Sequence, residues 1–261
     1  MTKQKEVYYS DELNDDFANS DVEAKTIDSN YDYAPKNIFW KITSSLIYRC
    51  IAFPLAYLYS KIKFRYKIVN KNILKEYKNT GYFLYINHTQ TIADVTWPGL
   101  VSAPKRAYII ANPDNVSLPI LKDITKMVGA IPVPSNLAST RNFMKTITKR
   151  IDEKAVVAIY PEAHVWNYYT KIRPFKDTSF KYPVLNNVPA FSLTITYQKS
   201  KFIKTPRIVA YLDGPFFASK EESIANQKLE LRNKVYETMV NRSKANNIEY
   251  IKYKKVSDKN D

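Results

Sequence analysis

From residue 64 onward, short apolar runs alternate with amphipathic stretches. Strand-like runs fall at 64–69, 82–87, 107–111, 130–133, 155–160, 190–196 and 207–213. Several are apolar at successive positions, as in Ala155-Val156-Val157-Ala158-Ile159, which is the pattern of strands covered on both faces. Between them lie helical signals. Ser117-Leu118-Pro119 reads as an N-cap with an early proline, and Ser139 as a second cap. Ser219-Lys220-Glu221-Glu222 reads as a capping box ahead of Ile224, Leu231, Val235 and Met239 on one helical face. Strands alternating with helices predict an α/β domain over residues 64–245.

The chain before that domain falls into two unlike parts. Residues 38–60 are rich in Ile, Leu, Phe and Tyr, but Arg49 interrupts the run and Pro54 would break or bend a helix. A bilayer-spanning helix needs about 20 apolar residues without a central charge. Trp40, Tyr48, Tyr57 and Tyr59 are residue types of the water–lipid boundary, and Lys61, Lys63, Arg65 and Lys67 follow at once. That combination predicts a helix or helix pair over 36–63 lying in the headgroup region. A helix packed on the domain and a true span are the other two readings of the same run. Residues 1–35 carry many acids and few large apolar side chains, so a disordered or loosely docked tail is expected there. A polar, fraying tail is expected at 246–261.

Composition sharpens this picture. Nine acids against three lysines give residues 1–35 a net charge of −6, and the total of +15 then leaves +21 for the rest. So basic a body attracts polyanions, whether nucleic acid, anionic lipid headgroups or acidic carriers. The aromatics lie in apolar runs rather than interleaved with Lys and Arg, and no nucleic-acid-binding signature appears, so nucleic acid is not expected as a partner. With 21 Tyr and only 4 Gly, the chain suits apolar–polar boundaries and has neither G-x-G-x-x-G nor a Walker-type loop. Its single Cys50 excludes an intramolecular disulfide and a Cys-based zinc cluster. No metal or bound cofactor is expected.

Candidate chemistry gathers at two strand ends. His88, one of only two histidines, directly follows the strand signal at 82–87, and Asp94 lies six residues on. In an α/β sheet, functional side chains collect at the carboxyl ends of strands. A carboxylate accepting from His88 Nδ1 would leave Nε2 as a base, and an unperturbed imidazole titrates near ~6.5. The alternative is a histidine capping the next helix. At the second strand end stands Tyr160-Pro161-Glu162, where Glu162 would bind acceptor hydroxyls or hold its loop by accepting backbone N–H bonds. Close behind, Lys171, Arg173 and Lys176 would grip phosphate or form a solvated basic loop. His164 is expected to be structural.

These residues together resemble the PlsC-type lysophosphatidate (1-acylglycerol-3-phosphate) acyltransferase family. Asn87-His88 and Asp94 match its first block, Gly129-Ala130-Ile131-Pro132-Val133-Pro134 echoes the second, and Tyr160-Pro161-Glu162 with Phe175-Lys176 and Phe180 matches part of the third. Val188-Pro189-Ala190 matches the fourth, and order and spacing agree over roughly residues 64–215. The chain departs from the family in three places, the first being the second block, where the usual arginine is missing and Pro132 and Pro134 stand nearby. Five residues rather than four separate His88 from Asp94, and Ala163-His164-Val165-Trp166 replaces Gly-Thr-Arg-Ser, removing the arginine that the family uses for phosphate. The resemblance implies a single α/β domain with a mixed, largely parallel sheet flanked by helices. It further implies acyl transfer from acyl-CoA or acyl carrier protein to a free hydroxyl of a lysophosphatidate-like lipid. His88 and Asp94 would be catalytic there, with Asn87, Glu162, Lys171, Arg173 and Lys176 binding substrate. The expected location is the cytoplasmic face of the cell membrane, on an anionic lipid surface. Rival readings are an acyltransferase for another lysophospholipid or a glycolipid, and a non-catalytic basic membrane- or nucleic-acid-binding protein.

Overall fold

The computed structural model describes residues 4–17, 25–33, 35–117, 122–200 and 203–256. Its strands are β1 (Lys5–Tyr9), β2 (Lys67–Val69), β3 (Tyr82–Ile86), β4 (Ala107–Ala111), β5 (Ala130–Pro132), β6 (Val156–Ile159), β7 (Ala190–Gln198), β8 (Arg207–Phe216) and β9 (Ile251–Lys255). The helices are α1 (Ile38–Leu46), α2 (Phe53–Phe64), α3 (Trp97–Ser102), α4 (Lys122–Val128), α5 (Leu137–Asp152), α6 (Lys181–Asn186) and α7 (Ile224–Ser243). Seven strands form one sheet in the order β2-β8-β7-β3-β6-β4-β5. Only the β7–β8 pair is antiparallel; the other neighbours run parallel. The expected mixed, largely parallel α/β sheet is therefore present.

Burial on both faces explains the unbroken apolar runs. Every residue of β3 and β6 is buried. One face packs Phe83, Tyr85 and Val157 against Phe143 and Ile147 of α5 and Leu231, Val235 and Met239 of α7. The other packs Leu84, Ile86 and Ala158 against Trp97, Leu100 and Val101 of α3 and Phe64 at the end of α2. Gly129 holds φ of 113° where the chain enters β5, and a Cβ there would stand 2.6 Å from the Ala107 carbonyl oxygen.

Helix starts differ from expectation by a turn. Asn136, not Ser139, caps α5: its side chain accepts from Ser139 N–H at 2.9 Å, and Ser139 returns the bond as the third helical residue. Likewise α7 is capped by Ser223, which accepts from Asn226 N–H at 3.2 Å, while Ser219 N–H goes to the Glu230 carboxylate. Ile224 is exposed and does not join the buried face. Several Ser, Asn and Asp residues near a helix start offer comparable caps, and tertiary packing selects among them. The start expected after Ser117 falls on 118–121, outside the described residues.

Residues 38–64 form one rod rather than a bent pair. Ile47–Ala52 is a turn of π-helix joining α1 to α2. Pro54 lacks an N–H and crowds the carbonyl four residues back, and the wider turn accommodates it. Phe64, expected in a strand, ends this rod.

The two tails are the largest correction. β1 and β9 pair in parallel as a separate two-stranded ribbon, so the described parts of 1–35 and 246–261 have their own structure. The ribbon closes over Trp166, which is fully buried. Tyr9 and Phe17 pack on its ring at 4.9 and 5.2 Å, and Tyr253 stacks on it at 5.1 Å. Farther along, Ile27 and Tyr33 enter the main core. Acid content pointed to a free tail, yet the acids are met: Glu6 pairs with Lys254 at 2.8 Å and Asp16 with His164 at 3.1 Å.

The ribbon's carboxyls predict a pH response. Lys254 holds Glu6 below its ordinary value, the Asn14 amide does so for Asp11, and the Ser10 N–H for Asp15. Groups depressed in the folded state add stability above their unfolded pKa of about 4, and this is lost as pH falls through the lower folded values. Trp166 fluorescence should therefore be constant down to pH of about 5 and shift to the red below about 4. Trp166→Phe should remove that transition; a Trp166 signal unchanged at about pH 3 would contradict the account.

Candidate active site

His88 follows β3 at the carboxyl edge of the sheet, next to the end of β6. Asn87, between strand and histidine, is buried, accepting from Ile195 N–H at 2.7 Å and donating to Ile195 O at 3.2 Å. Its expected substrate contact is replaced by a clamp that ties the end of β3 to β7. One bond on each polar atom and near-complete burial hold the side chain inside.

The His88 ring meets Asp94 at 2.7 Å, Nδ1 to Oδ2. The same oxygen accepts from the N–H groups of Thr89 and Gln90, each at 2.9 Å. The 88–94 turn thus wraps around the carboxylate, and this absorbs the extra residue between His88 and Asp94. Burial raises the Asp94 carboxyl above its ordinary value, while the His88 hydrogen bond and the two N–H groups draw it back. With Asp94 ionised its oxygen only accepts, so Nδ1 would hold the proton and leave the lone pair on Nε2. His88 keeps 18% of its side-chain surface exposed against 1% for Asp94, which leaves the ring open to a ligand. Tyr160 stacks on it at 4.3 Å with 30° between planes, and its hydroxyl donates to the Asp94 carbonyl. Neither that stacking nor Tyr197, whose hydroxyl donates to Thr89 Oγ1 at 2.8 Å, has a sequence signal. Both partners are assembled across the sheet.

Of the two roles open to Glu162, the structure shows the second. Its carboxylate accepts from His88 N–H through Oε2 and from Arg173 N–H through Oε1, both at 2.9 Å. Burial raises this carboxyl, opposed by the Arg173 charge and the two N–H donors. More bonds stitch the two loops: Trp166 N–H to His88 O at 3.1 Å, and Tyr168 N–H to Thr89 O at 2.9 Å. Ala163 sits at φ 65°, in the left-handed region that favours glycine, at the position where the resembled motif has Gly.

Arg173 corrects the phosphate expectation. It is fully buried, 3.6 Å from Glu162 Oε2, and donates to the carbonyls of His164 and Glu12. Its guanidinium lies 4.8 Å from the Trp166 ring centre. Sequence spacing put this arginine in a basic loop, but the chain turns inward at Ile172-Arg173 to neutralise Glu162. Lys171 and Lys176 on either side are exposed. His164 holds Asp16 of the ribbon, a structural part as expected.

Arg173→Ala should accordingly leave a buried carboxylate without its cation and lower stability by about 3–5 kcal/mol in denaturant unfolding. A fully stable variant with a raised KM alone would return Arg173 to the substrate.

Three comparisons bear on this geometry. The acyltransferase family model matches residues 65–196. The fold is similar to the crystal structure of the 1-acyl-sn-glycerophosphate (LPA) acyltransferase PlsC from Thermotoga maritima, with a TM-score of 0.53 and 15% sequence identity. That match covers 79% of this chain and 88% of that one. A search of curated proteins found no match. The matched segment holds β3, β6, the His88–Asp94 pair and the Glu162 clamp, and it spans half of the sequence: the chain belongs to the acyltransferase family.

Proposed function

We propose that the chain transfers a fatty-acyl group from an acyl thioester, acyl-CoA or acyl carrier protein, to the free hydroxyl of a lysophosphatidate-like glycerolipid. The observation that carries this reading is the 2.7 Å contact between His88 Nδ1 and a buried Asp94 carboxylate held by two backbone N–H groups. His88 Nε2 takes the hydroxyl proton as the lipid oxygen attacks the thioester carbonyl. Asp94 steadies the imidazolium. The C–S bond then breaks, the imidazolium proton passes to the departing sulfur, and an ester and a free thiol leave. No covalent enzyme intermediate is needed, and the chain has no G-x-S-x-G elbow.

The acceptor is a lipid on this reading, and the 38–64 rod supports that. Its outward side is apolar, unlike that of an ordinary surface helix, while Phe53 and Phe64 also pack inward. The side facing the protein uses hydroxyls: Ser44 donates to Met127 O at 2.8 Å, Tyr48 OH accepts from Ala107 N–H at 3.1 Å, and Ser60 meets Thr96 at 3.0 Å. The outward side exposes Ile38, Ile42, Leu46, Ile51, Leu55, Leu58 and Ile62. These recur at three or four residues except for one step of five, from Leu46 to Ile51, which falls in the π-turn. The wide turn thus keeps the α1 and α2 stripes in line. Ile92 and Val95, beside the His88–Asp94 turn, are also exposed. Among the described residues, no helix is long and apolar enough to cross a membrane. The rod is read as lying in the interface because Arg49 interrupts its apolar run and boundary-type aromatics and lysines flank it. The side of the membrane that holds the acyl thioester, the cytoplasmic face, is the proposed location, with anionic lipid drawn by the basic body.

Two experiments test these parts separately. His88→Ala should lower turnover by about 10²–10⁴-fold in an assay with labelled acyl-CoA, acyl carrier protein and a panel of lysophosphatidate, other lysophospholipids and glycolipids. Binding to vesicles should persist, and wild-type turnover by the variant would defeat the assignment. Leu55→Asp with Leu58→Asp should abolish vesicle binding in a flotation assay while circular dichroism stays unchanged; retained flotation would remove the rod from the membrane.

A further inference from the structure

Neither Arg173, sealed inside, nor Val165, at the motif's arginine position, supplies an exposed guanidinium to the site. Another cation lies on α2, the helix whose Ser60 bonds to Thr96 just past the His88 turn. Lys63, exposed on the last turn of α2, donates to Tyr59 OH at 3.0 Å and lies over the Tyr59 and Phe64 rings at 5.2 and 5.3 Å. Tyr168, whose ring centre lies 4.7 Å from that of Tyr250, packs with Tyr59 on the core cluster that holds Phe64, and the Tyr168 and Tyr250 phenols favour the charged form of Lys63. The cluster combines one ammonium with three phenol hydroxyls, and no ion pair with a carboxylate is found for Lys63 among the described residues. Such a group of donors suits an anionic oxygen ligand.

The cluster is tied to the catalytic turn. Tyr168 N–H donates to Thr89 O at 2.9 Å, one residue past His88. Gln90, the next residue, donates its N–H to Asp94 at 2.9 Å. Tyr168 is held at φ 60°, a conformation that costs a bulky residue energy and recurs at ligand clamps. Leu58 and Ile62, exposed on the same helix, end the apolar stripe one residue short of Lys63. The ammonium therefore stands where a lipid's polar end meets its tail.

We propose that Lys63, with the hydroxyls of Tyr59, Tyr168 and Tyr250, binds the phosphate of the acceptor lipid. The assignment rests on the acyltransferase reading with a lysophosphatidate-like acceptor, and it supplies the cation that the 160–166 segment lacks.

Equilibrium binding to the His88→Ala protein, in which no turnover confuses the signal, tests it. Three probes are titrated in detergent micelles: lysophosphatidate, monoacylglycerol with the same chain, and CoA. Adding Lys63→Gln should weaken lysophosphatidate about tenfold or more and leave monoacylglycerol and CoA within about twofold. Tyr168→Phe, which keeps the ring and removes only the hydroxyl, should weaken lysophosphatidate in the same selective way. Equal weakening of both lipids, no weakening, or selective loss of CoA would each overturn the proposal. So would failure of the His88→Ala protein to bind lysophosphatidate at all. In the otherwise unaltered chain, absence of acyl transfer to every acceptor alongside selective lysophosphatidate binding would instead sink the transferase reading and leave the phosphate site standing.

Discussion

One buried carboxylate holds the site together. Glu162 takes the N–H of His88 with one oxygen and the N–H of Arg173 with the other, joining the loops after β3 and β6. A carboxylate removed from water must be met on every side or it is costly, and this requirement draws Arg173 inward and orders the 162–173 segment. That segment in turn lies along the His88 turn, through Trp166 and Tyr168, and fixes the imidazole from its backbone side. Asp94 fixes it from the ring side. Two carboxylates therefore hold one histidine, and neither of them needs to touch substrate.

The ribbon of β1 and β9 extends the same construction outward. Trp166 donates its indole N–H to Asp15 O at 2.8 Å and is enclosed by rings from both chain termini. Asp16 meets His164, and the Glu12 carbonyl meets Arg173. An acidic N-terminal segment thus lies against the loop in which the resembled motif carries its phosphate arginine. The Asp16 carboxylate and the Glu12 carbonyl are thus committed within the chain, to His164 and Arg173.

The rod at 38–64 packs beside this site. Its inner face docks on α3, α4 and β4 through Ser44, Tyr48 and Ser60, while the apolar side stays exposed among the described residues. The Ser60–Thr96 bond anchors this rod two residues from Asp94.

Much of this was legible in the chain itself. Seven strands were visible as runs of apolar residues because both faces of the sheet are covered, and the His88, Asp94 and Glu162 positions were visible because strand ends in such a sheet are where polar side chains gather. The rod was visible from Trp, Tyr and Lys around an interrupted apolar run. Tertiary structure alone decided the rest. Whether Glu162 binds substrate or backbone depends on which N–H groups face it. Arg173 turns inward because a buried charge 11 residues earlier requires a partner. The acidic tail has structure because Trp166 and Tyr253, far along the chain, supply the surface that its few aromatics need. Periodicity reports which face of an element is covered, but not by what, and the pairing of charges and rings across the sheet is set only when the chain has folded.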